Sequence, residues 1–178
     1  MQILILGGGA AGFFAAITCA EANPAAQVTI LEKGGEVLQK VKVSGGGRCN
    51  VTHNCFDPKE LVKNYPRGGK ALLGPFHKFS PADTVAWFER RGVKLKTEAD
   101  GRMFPITDNS ETIIHCLTQA AREAGVKVLT GKNVAQIEPP GNPDSYRGWQ
   151  VKTQAGEVFF AEKIMVATGS SPRIWQLL

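Results

Sequence analysis

Short apolar runs of strand length recur along the chain and alternate with segments of helical pattern. The runs QILILG, QVTILEK, VKVLT and KIMVATG begin at residues 2, 27, 126 and 163 and predict parallel strands, of which the first and the last are expected to be buried. AAGFFAAITCAEA, between the first two runs, is rich in Ala and apolar throughout, which predicts a buried helix ended by Asn23-Pro24. Residues 1–33 therefore predict a β-α-β unit with two parallel strands in one sheet.

The middle of the chain has a weaker pattern. Residues 34–79 are rich in Gly and lack a clear period, so we expect an irregular stretch, which at this length indicates a functional loop. Ser80 followed by Pro81 predicts the start of a helix, and Gly92 predicts its end. The run VKLKTEADGRMFP then predicts a β-hairpin around a two-residue turn at Asp100-Gly101.

A further helix and a set of alternating strands complete the pattern. The helix is predicted between a cap within residues 108–110 and Gly125, because Ile113, Leu117 and Ala121 recur at helical spacing. NVAQIE, GWQVKTQ and EVFFAE alternate in part and favour a small antiparallel meander. We therefore expect an α/β fold of Rossmann type, with a parallel sheet, helices and an antiparallel β-meander, in one domain over residues 1–178.

Charge and cysteine content narrow the class of protein. The net charge of +5 is spread along the chain without a block of like charges, so we expect no nucleic-acid partner. No apolar run reaches the roughly 18–20 residues of a membrane span, and the N-terminus lacks signal-peptide features, so we expect a cytoplasmic protein without a membrane partner. The four Cys lack metal-ligand spacing, which predicts reduced thiols and no metal site.

The glycines after the first strand form the first candidate site. Gly7, Gly9 and Gly12 satisfy G-x-G-x-x-G between a predicted strand and a predicted helix. In this pattern the first Gly allows a tight turn, the second lets the backbone approach a pyrophosphate, and the third allows close packing. Glu32 ends the second strand, where a carboxylate accepts hydrogen bonds from the ribose hydroxyls of an adenosine and repels a 2′-phosphate. The sequence therefore predicts dinucleotide binding.

The segments further along the chain favour FAD over NAD as the dinucleotide. A nicotinamide-only dehydrogenase continues with further β-α units, whereas this chain has the glycine loop VSGGGRCNVTHN soon after the second strand. The antiparallel meander before the last strand is also atypical of a plain dehydrogenase. Both features are typical of the flavoprotein variant of the fold, and the nicotinamide-only enzyme is kept as an alternative.

Three motifs resemble the YhiN/BaiN-type family of NAD(P)/FAD-dependent oxidoreductases. SGGGRCNVTHN at 44–54 is close to the family's S-G-G-G-R-C-N-x-T-N, DGRMFPITDNS at 100–110 resembles its G-R-x-F-P segment, and VATG at 166–169 resembles the end of its last strand. The resemblance covers essentially the whole chain. It implies bound FAD, NAD(P)H as a transient electron donor, and hydride transfer to an organic acceptor whose identity is open. The family's substrate domain and returning C-terminal segment have no counterpart here, so we expect an incomplete FAD-binding domain.

The resemblance also implies a set of cofactor-binding residues. They are Gly7, Gly9, Ala11, Gly12, Glu32, Lys33, Lys40, Ser44, Gly45, Gly46, Gly47, Arg48, Cys49, Asn50, Val134, Thr168 and Gly169. Residues 7–33 of this set are expected at the ADP half and residues 44–50 along the pyrophosphate and the flavin. Lys40 is expected near the phosphates or flavin, the backbone of Val134 near adenine, and Thr168 with Gly169 at the end of the last strand. Leu38 departs from the family pattern, which has Gly there. No catalytic residue is assigned.

Two other functions remain open from the residues. Cys49 and Cys55 follow a glycine loop, as the redox pair of a flavin disulfide reductase does, but five residues separate them where those enzymes have four. A truncated or vestigial dinucleotide-binding module without turnover is the other alternative. His53 is the best placed of the three His for a catalytic role. Arg102 either binds an anionic substrate or is an ordinary solvent-exposed residue of the hairpin.

Overall fold

The computed structural model describes residues 1–141 and 148–177, which divide into two compact units. The first unit comprises Met1–Lys40 and Leu117–Leu178, and the second comprises Val41–Cys116. Each is described by itself. None of the described helices is long and apolar enough to cross a membrane.

The first unit contains the predicted β-α-β arrangement. β1 (Gln2–Leu6) and β2 (Gln27–Leu31) pair in parallel, and α1 (Ala10–Ala22) connects them. α1 ends at Asn23, as predicted, and Phe13, Ala16 and Ile17 lie on its buried side. Its small Ala side chains let α1 pack closely against the sheet. Burial of each larger apolar side chain contributes roughly 1.5–3 kcal/mol to folding stability.

Two further strands extend the parallel sheet in the order β10-β1-β2-β6. β6 (Lys127–Leu129) pairs with β2, and β10 (Lys163–Val166) pairs with β1. The prediction that the last run is a buried strand is wrong in one respect. β10 lies at an edge of the described sheet, Lys163 and Met165 are exposed, and Ile164 and Val166 are only half-buried.

The predicted antiparallel meander is confirmed in the first unit. β7 (Val134–Glu138), β8 (Trp149–Thr153) and β9 (Val158–Ala161) pair in sequence order. The inner face of the meander joins the core of the parallel sheet through Val134, Ile137, Val151 and Ala161. Buried and exposed residues alternate along Val151–Thr153 of β8, as expected for a strand with one covered face, whereas the register shift after Val134 interrupts the alternation in β7.

The second unit corrects the prediction that residues 34–79 are irregular. It holds α2 (Gln39–Gly47, bent at Ser44) from Val41 onward, β3 (Thr52–His53), α3 (Pro58–Leu61), a 3₁₀ turn (Val62–Asn64) and α4 (Gly69–Lys78). The missed signals are local. Asp57 caps α3 through a bond from the Lys59 N–H to its side chain, and Pro58 occupies the first helical position.

The later elements of the second unit agree with the sequence. α5 (Pro81–Glu89) begins with a capping box in which Ser80 and Asp83 exchange hydrogen bonds. β4 (Leu95–Thr97) and β5 (Arg102–Pro105) form the predicted hairpin. Its turn has three residues rather than two, because Gly101 adopts a φ of +84° and donates its N–H to the Glu98 carbonyl.

The helix predicted before Gly125 is α6 (Glu111–Glu123). The Asn109 side chain accepts a hydrogen bond from the Glu111 N–H, so Asn109 supplies the predicted cap. Gly125 has a φ of +75°, and the following Val126 N–H bonds the Ala121 carbonyl, which is a glycine-terminated helix end.

Candidate functional site

The first glycine loop joins β1 to α1 at the carboxyl end of the parallel sheet. Gly7 has a φ of +115°, and its N–H donates to the Leu31 carbonyl at 2.8 Å. A Cβ at Gly7 would stand 2.5 Å from the Ala167 carbonyl oxygen. Glycine is therefore required here both by backbone conformation and by the approach of the chain after β10.

Gly12 and Gly9 serve different purposes in the same loop. A Cβ at Gly12 would overlap the Gly7 carbonyl oxygen, because it would stand much closer than the 3.0 Å at which a Cβ can approach another heavy atom. The first turn of α1 therefore lies directly against the loop. At Gly9 a Cβ would meet no protein atom within 4 Å. Gly9 has a φ of −88°, which any residue adopts, and it immediately precedes α1. Nothing in the described fold requires glycine at position 9.

The N-terminus of α1 is available to a ligand. Its first turn carries no acidic side chain, and Gly9 offers no side-chain cap to the free N–H groups. Ala11, one of the implied binding residues, is exposed in this turn. The helix has 13 residues, so its dipole and unpaired N–H groups favour an anion at this position.

Glu32 lies beside the loop with both carboxylate oxygens engaged. One oxygen accepts the Gly8 N–H at 2.7 Å and the other accepts the Gly34 N–H at 2.8 Å. A carboxylate has about four acceptor positions, so two remain for the ribose hydroxyls that the sequence predicts. Glu32 therefore also fixes the glycine loop to the end of β2. Lys33, which follows it, is exposed.

The chain after β10 brings three of the predicted residues to the same end of the sheet. Gly169 has a φ of +61°, and the Lys40 Nζ lies 3.4 Å from the position of a Cβ there. Lys40 forms no ion pair with the described residues of the chain. The Thr168 hydroxyl is buried and has no hydrogen-bond partner in the described structure. A buried hydroxyl without a partner costs about 1–3 kcal/mol unless a ligand completes it.

Leu38 is a residue of this loop region whose conformation the sequence does not reveal. Its N–H donates to the Gly8 carbonyl at 2.8 Å, its side chain is buried, and its φ is +58°. A left-handed leucine costs roughly 1–2 kcal/mol in backbone energy. Its only sequence signal is that this position carries Gly in the family that the motifs resemble.

The second glycine loop lies in the second unit. Gly45, Gly46 and Gly47 have φ values of +57°, +70° and +85°, and Ser44 breaks the helix with a ψ of 149°. A Cβ at Gly45 would stand 2.8 Å from both the Asn50 nitrogen and the Phe104 ring, whereas Gly46 and Gly47 face open space. Gly46 and Asn50 are exposed, whereas Gly45 and Gly47 are half-buried.

Arg48 is held by acidic side chains within the second unit. Its guanidinium pairs with Glu98, lies 3.5 Å from an Asp108 oxygen, and stacks on the Phe104 ring at 4.1 Å. The hydrogen bond that Arg48 donates to the Glu98 carboxylate raises the pKa of Arg48 above its ordinary value. Lys96 pairs with Asp108 as well, and this hydrogen bond lowers the pKa of the Asp108 carboxyl. Arg48 therefore fixes the glycine loop to the hairpin.

The other candidate side chains of the second unit have structural partners. His53 accepts the Cys55 N–H at Nδ1 and bonds the Asp100 carbonyl through Nε2, which steadies the hairpin turn. Arg102 pairs with Asp100 at 2.7 Å. Cys49 and Cys55 are free thiols, and burial raises the pKa of Cys49. A raised pKa is the opposite of what a redox-active thiolate requires.

Val134 is the last of the implied residues. It is buried at the start of β7, and the register of β7 against β8 shifts directly after it. The preceding segment contacts the end of β2, where the Lys132 N–H donates to the Glu32 carbonyl and the Gly131 N–H to the Gly34 carbonyl. The start of β7 therefore lies within the same region of the first unit as Glu32. Among the described residues, no group of three or more His, Cys, Asp or Glu side chains is arranged to hold a metal ion.

Comparison with known proteins relates this arrangement to curated sequences and solved structures. The chain is 29% identical over 168 residues to a 3-dehydro-bile acid delta(4,6)-reductase of Clostridium scindens, covering 94% of this chain and 39% of that protein. It is 25% identical to a ribosomal RNA dihydrouridine synthase of Escherichia coli, covering 93% of this chain and 38% of that protein. This chain thus spans about two fifths of the length of these curated relatives.

Solved structures agree on the fold. A 3-ketosteroid-delta4-(5alpha)-dehydrogenase from Rhodococcus jostii matches with a TM-score of 0.66 at 16% identity, covering 95% of this chain and 46% of that one. THI4 of Thermovibrio ammonificans matches with a TM-score of 0.58 at 13% identity, covering 96% of this chain and 57% of that one. Both likenesses confirm the Rossmann-like α/β class with its additional antiparallel strands.

The family model that describes the HI0933-like protein Rossmann domain matches residues 1–174. This match spans both described glycine loops and the end of β10. It confirms the resemblance that the motifs at 44–54 and 100–110 indicated. The chain therefore belongs to the HI0933-like family, the YhiN/BaiN-type family of FAD-dependent oxidoreductases.

Proposed function

We propose that the first unit binds the ADP half of FAD at the carboxyl end of its parallel sheet. The observation that carries this proposal is the open space over Gly9 at the N-terminus of α1. The fold requires Gly7 and Gly12 for its own packing, whereas Gly9, at the N-cap of α1, leaves its backbone uncovered, as a ligand that approaches the backbone closely requires.

Other groups near the ends of these strands fit a dinucleotide. The Lys40 ammonium has no ion-pair partner among the described residues and lies beside Gly169, so it suits a phosphate charge. The Thr168 hydroxyl is buried and unpaired, and it suits an acceptor atom of the ligand. The remaining acceptor positions of Glu32 suit ribose hydroxyls. The assignment of Ser44–Asn50 to the flavin side stays a prediction from the resemblance.

We further propose that the protein is an oxidoreductase whose electron donor is NAD(P)H. When bound, FAD supplies two-electron hydride chemistry, and the chain positions and tunes it. The names of the two curated relatives denote a reductase of an unsaturated bile acid and an enzyme that forms dihydrouridine. Each product corresponds to reduction of a carbon–carbon double bond conjugated to a carbonyl, so this is the acceptor class we propose.

FAD binding is tested by Gly9→Val, with Gly74→Val as the matched control. Both glycines have open space at the Cβ position and neither has a positive φ. We expect Gly9→Val to lose FAD binding, measured by quenching of flavin fluorescence, while its melting temperature stays close to that of the wild type. Gly74→Val should bind FAD normally. Full flavin occupancy in Gly9→Val would contradict the proposal.

The reaction class is tested by anaerobic spectroscopy of the FAD-loaded protein. We expect NADH or NADPH to bleach the flavin band near 450 nm. A conjugated enone should then restore the band faster than an isolated alkene of similar size. Absence of bleaching by either nucleotide would favour a binding module without turnover, and equal reoxidation by both alkenes would contradict the acceptor class.

A further inference from the structure

The segment DGRMFPITDNS at residues 100–110 is not used by the proposed function, although its sequence is distinctive. In the second unit it lies directly against the segment at 44–54 that contains the second glycine loop. β5 pairs with β3 in antiparallel register, with Met103 opposite Thr52. The Val51 N–H also donates to the Met103 carbonyl at 2.9 Å. The two segments therefore form one local structure.

Phe104 and Asp108 contact the beginning of the glycine loop and the residue that follows it. The Phe104 ring is fully buried, and a Cβ at Gly45 would stand 2.8 Å from it. The Arg48 guanidinium stacks on the same ring and lies 3.5 Å from an Asp108 oxygen. Side chains of the 100–110 segment thus restrain the loop both before and after its glycines.

Ser110 connects the two ends of the loop to the beginning of α6. Its side chain is only 3% exposed, and its hydroxyl donates to the Lys42 carbonyl at 2.8 Å. Its N–H donates to the Gly47 carbonyl at 2.9 Å. Lys42 precedes the three glycines and Gly47 is the last of them. One buried residue therefore holds the two ends of the loop at a fixed separation.

The Ser110 hydroxyl is not used to cap α6. A Ser at the beginning of a helix commonly accepts a backbone N–H of the first turn. Here the Asn109 side chain accepts the Glu111 N–H at 2.9 Å, so the neighbouring residue supplies the cap. The Ser110 hydroxyl bonds α2 instead. Removing it should therefore release the loop while the cap of α6 stays in place.

The loop depends on such restraints because its three glycines are adjacent. All of them have a positive φ, and Gly is the residue that loses most conformational freedom when the chain folds. At Gly46 and Gly47 a Cβ would meet no protein atom within 4 Å, so packing on that side does not restrain the backbone. Restraint from outside the loop therefore acts through its two ends.

We propose that Ser110 is a positioning residue that holds the second glycine loop in the conformation that receives the flavin half of FAD. The inference rests on the proposed function, because the assignment of residues 44–50 to the flavin side is itself a prediction from the resemblance. A loop that is ordered before the ligand arrives loses little conformational freedom on binding, which strengthens affinity. Ser110 acts in this way through the loop and does not touch the cofactor.

Ser110→Ala tests the restraint, with Thr84→Val as the matched control. Ser110→Ala removes the hydroxyl and keeps the backbone bond to Gly47. Thr84→Val removes a hydroxyl that donates to the Ser80 carbonyl in the same unit. Nitrogen-15 relaxation of the apo-protein gives order parameters for the amides of residues 45–47. We expect them to fall from about 0.85 towards about 0.6 in Ser110→Ala and to stay unchanged in the control.

Affinities for FAD and ADP test whether the restraint serves the ligand. ADP lacks the flavin half, so its affinity does not depend on a loop that receives the flavin. We expect Ser110→Ala to bind FAD about tenfold more weakly, which corresponds to ordering the backbone of about one residue, and to bind ADP as the wild type does. Thr84→Val should bind both normally. Quenching of flavin fluorescence measures FAD binding, and isothermal titration calorimetry measures ADP binding.

Two results would overturn the role of Ser110 alone. They are unchanged order parameters in Ser110→Ala and an unchanged ratio of FAD to ADP affinity, each with a wild type that binds FAD. Ser110→Cys keeps the shape of the side chain but donates a weaker hydrogen bond, so it should show the same changes in smaller measure and replaces Ser110→Ala if that variant does not fold. A wild type that binds neither FAD nor ADP would refute the proposed function, and this inference with it.

Discussion

The distinction between Gly12 and Gly9 gives a sharp prediction about stability. Gly12→Ala adds one methyl group at a position already occupied by the Gly7 carbonyl oxygen. Gly9→Ala adds the same methyl group in open space. We therefore expect a large loss of folding free energy in the first variant and a small loss in the second, although both glycines belong to the same sequence motif.

The expected magnitude follows from what can move. Gly7 cannot retreat from a Cβ at Gly12, because it is bonded to the Leu31 carbonyl and lies against Ala167. Overpacking against rigid backbone typically costs about 1–3 kcal/mol, and we expect the upper end, about 3 kcal/mol. For a chain of this size that corresponds to a fall in melting temperature of roughly 6–12 °C. Gly9→Ala changes only the residue before the helix, which costs about 0.5–1 kcal/mol.

Thermal and urea denaturation followed by circular dichroism measure this difference in the absence of FAD. Wild type, Gly12→Ala and Gly9→Ala are compared at equal concentration, and FAD affinity is then measured for each folded variant. We expect Gly9→Ala to lose affinity with little loss of stability. A melting temperature of Gly12→Ala equal to that of the wild type would refute the packing argument, as would equal destabilisation of the two variants.

Three further predictions concern single side chains. Glu32→Gln places an amide where a carboxylate accepts two backbone N–H groups, so we expect about 1–3 kcal/mol lower stability by urea denaturation and weaker FAD binding; an unchanged midpoint would contradict this role. The pKa of Asp108 is lowered in the folded state, so its contribution to stability is present above pH 3.8 and is lost as the pH falls through the folded-state pKa. Asn tolerates the φ of +51° at this position, so Asp108→Asn removes the titrating group without straining the backbone. The variant should lose less melting temperature than the wild type as the pH falls from about 5 to about 3. An unchanged pH profile would show that the ion pairs of Asp108 do not contribute to stability. Burial and the raised pKa of Cys49 predict that iodoacetamide at neutral pH labels Cys55 first, as mass spectrometry would show, and faster labelling of Cys49 would revive the dithiol alternative.

The β-α-β unit could be predicted because its signals are local. Continuous apolar runs, an Ala-rich helix and Asn23-Pro24 each act within a few residues, and β1, α1 and β2 follow them. The same local reasoning predicts the helix start at Ser80 and the hairpin, whereas the short helices within 34–79 have only brief signals such as Asp57-Pro58. The edge position of β10 depends on which strands pair with it, which no single segment encodes.

The candidate site could be predicted by residue type more readily than by role. The motif marks Gly7, Gly9 and Gly12 alike, but only the structure shows that one of them faces open space. Arg48 is separated by 50 residues from its partner Glu98, so the sequence suggests an anion-binding arginine where the structure shows an ion pair. The left-handed backbone of Leu38 could not be predicted, because leucine rarely adopts a positive φ.

Displacement of FAD by fragments tests most directly whether an adenosine diphosphate lies against the glycine loop of the first unit. The apo-protein is loaded with FAD and then titrated with ADP or with riboflavin. Release of bound FAD is measured as recovery of its quenched fluorescence. The account predicts that ADP displaces FAD competitively in the wild type and that Gly9→Val retains no FAD to displace. Bound FAD that riboflavin displaces but saturating ADP does not would contradict it.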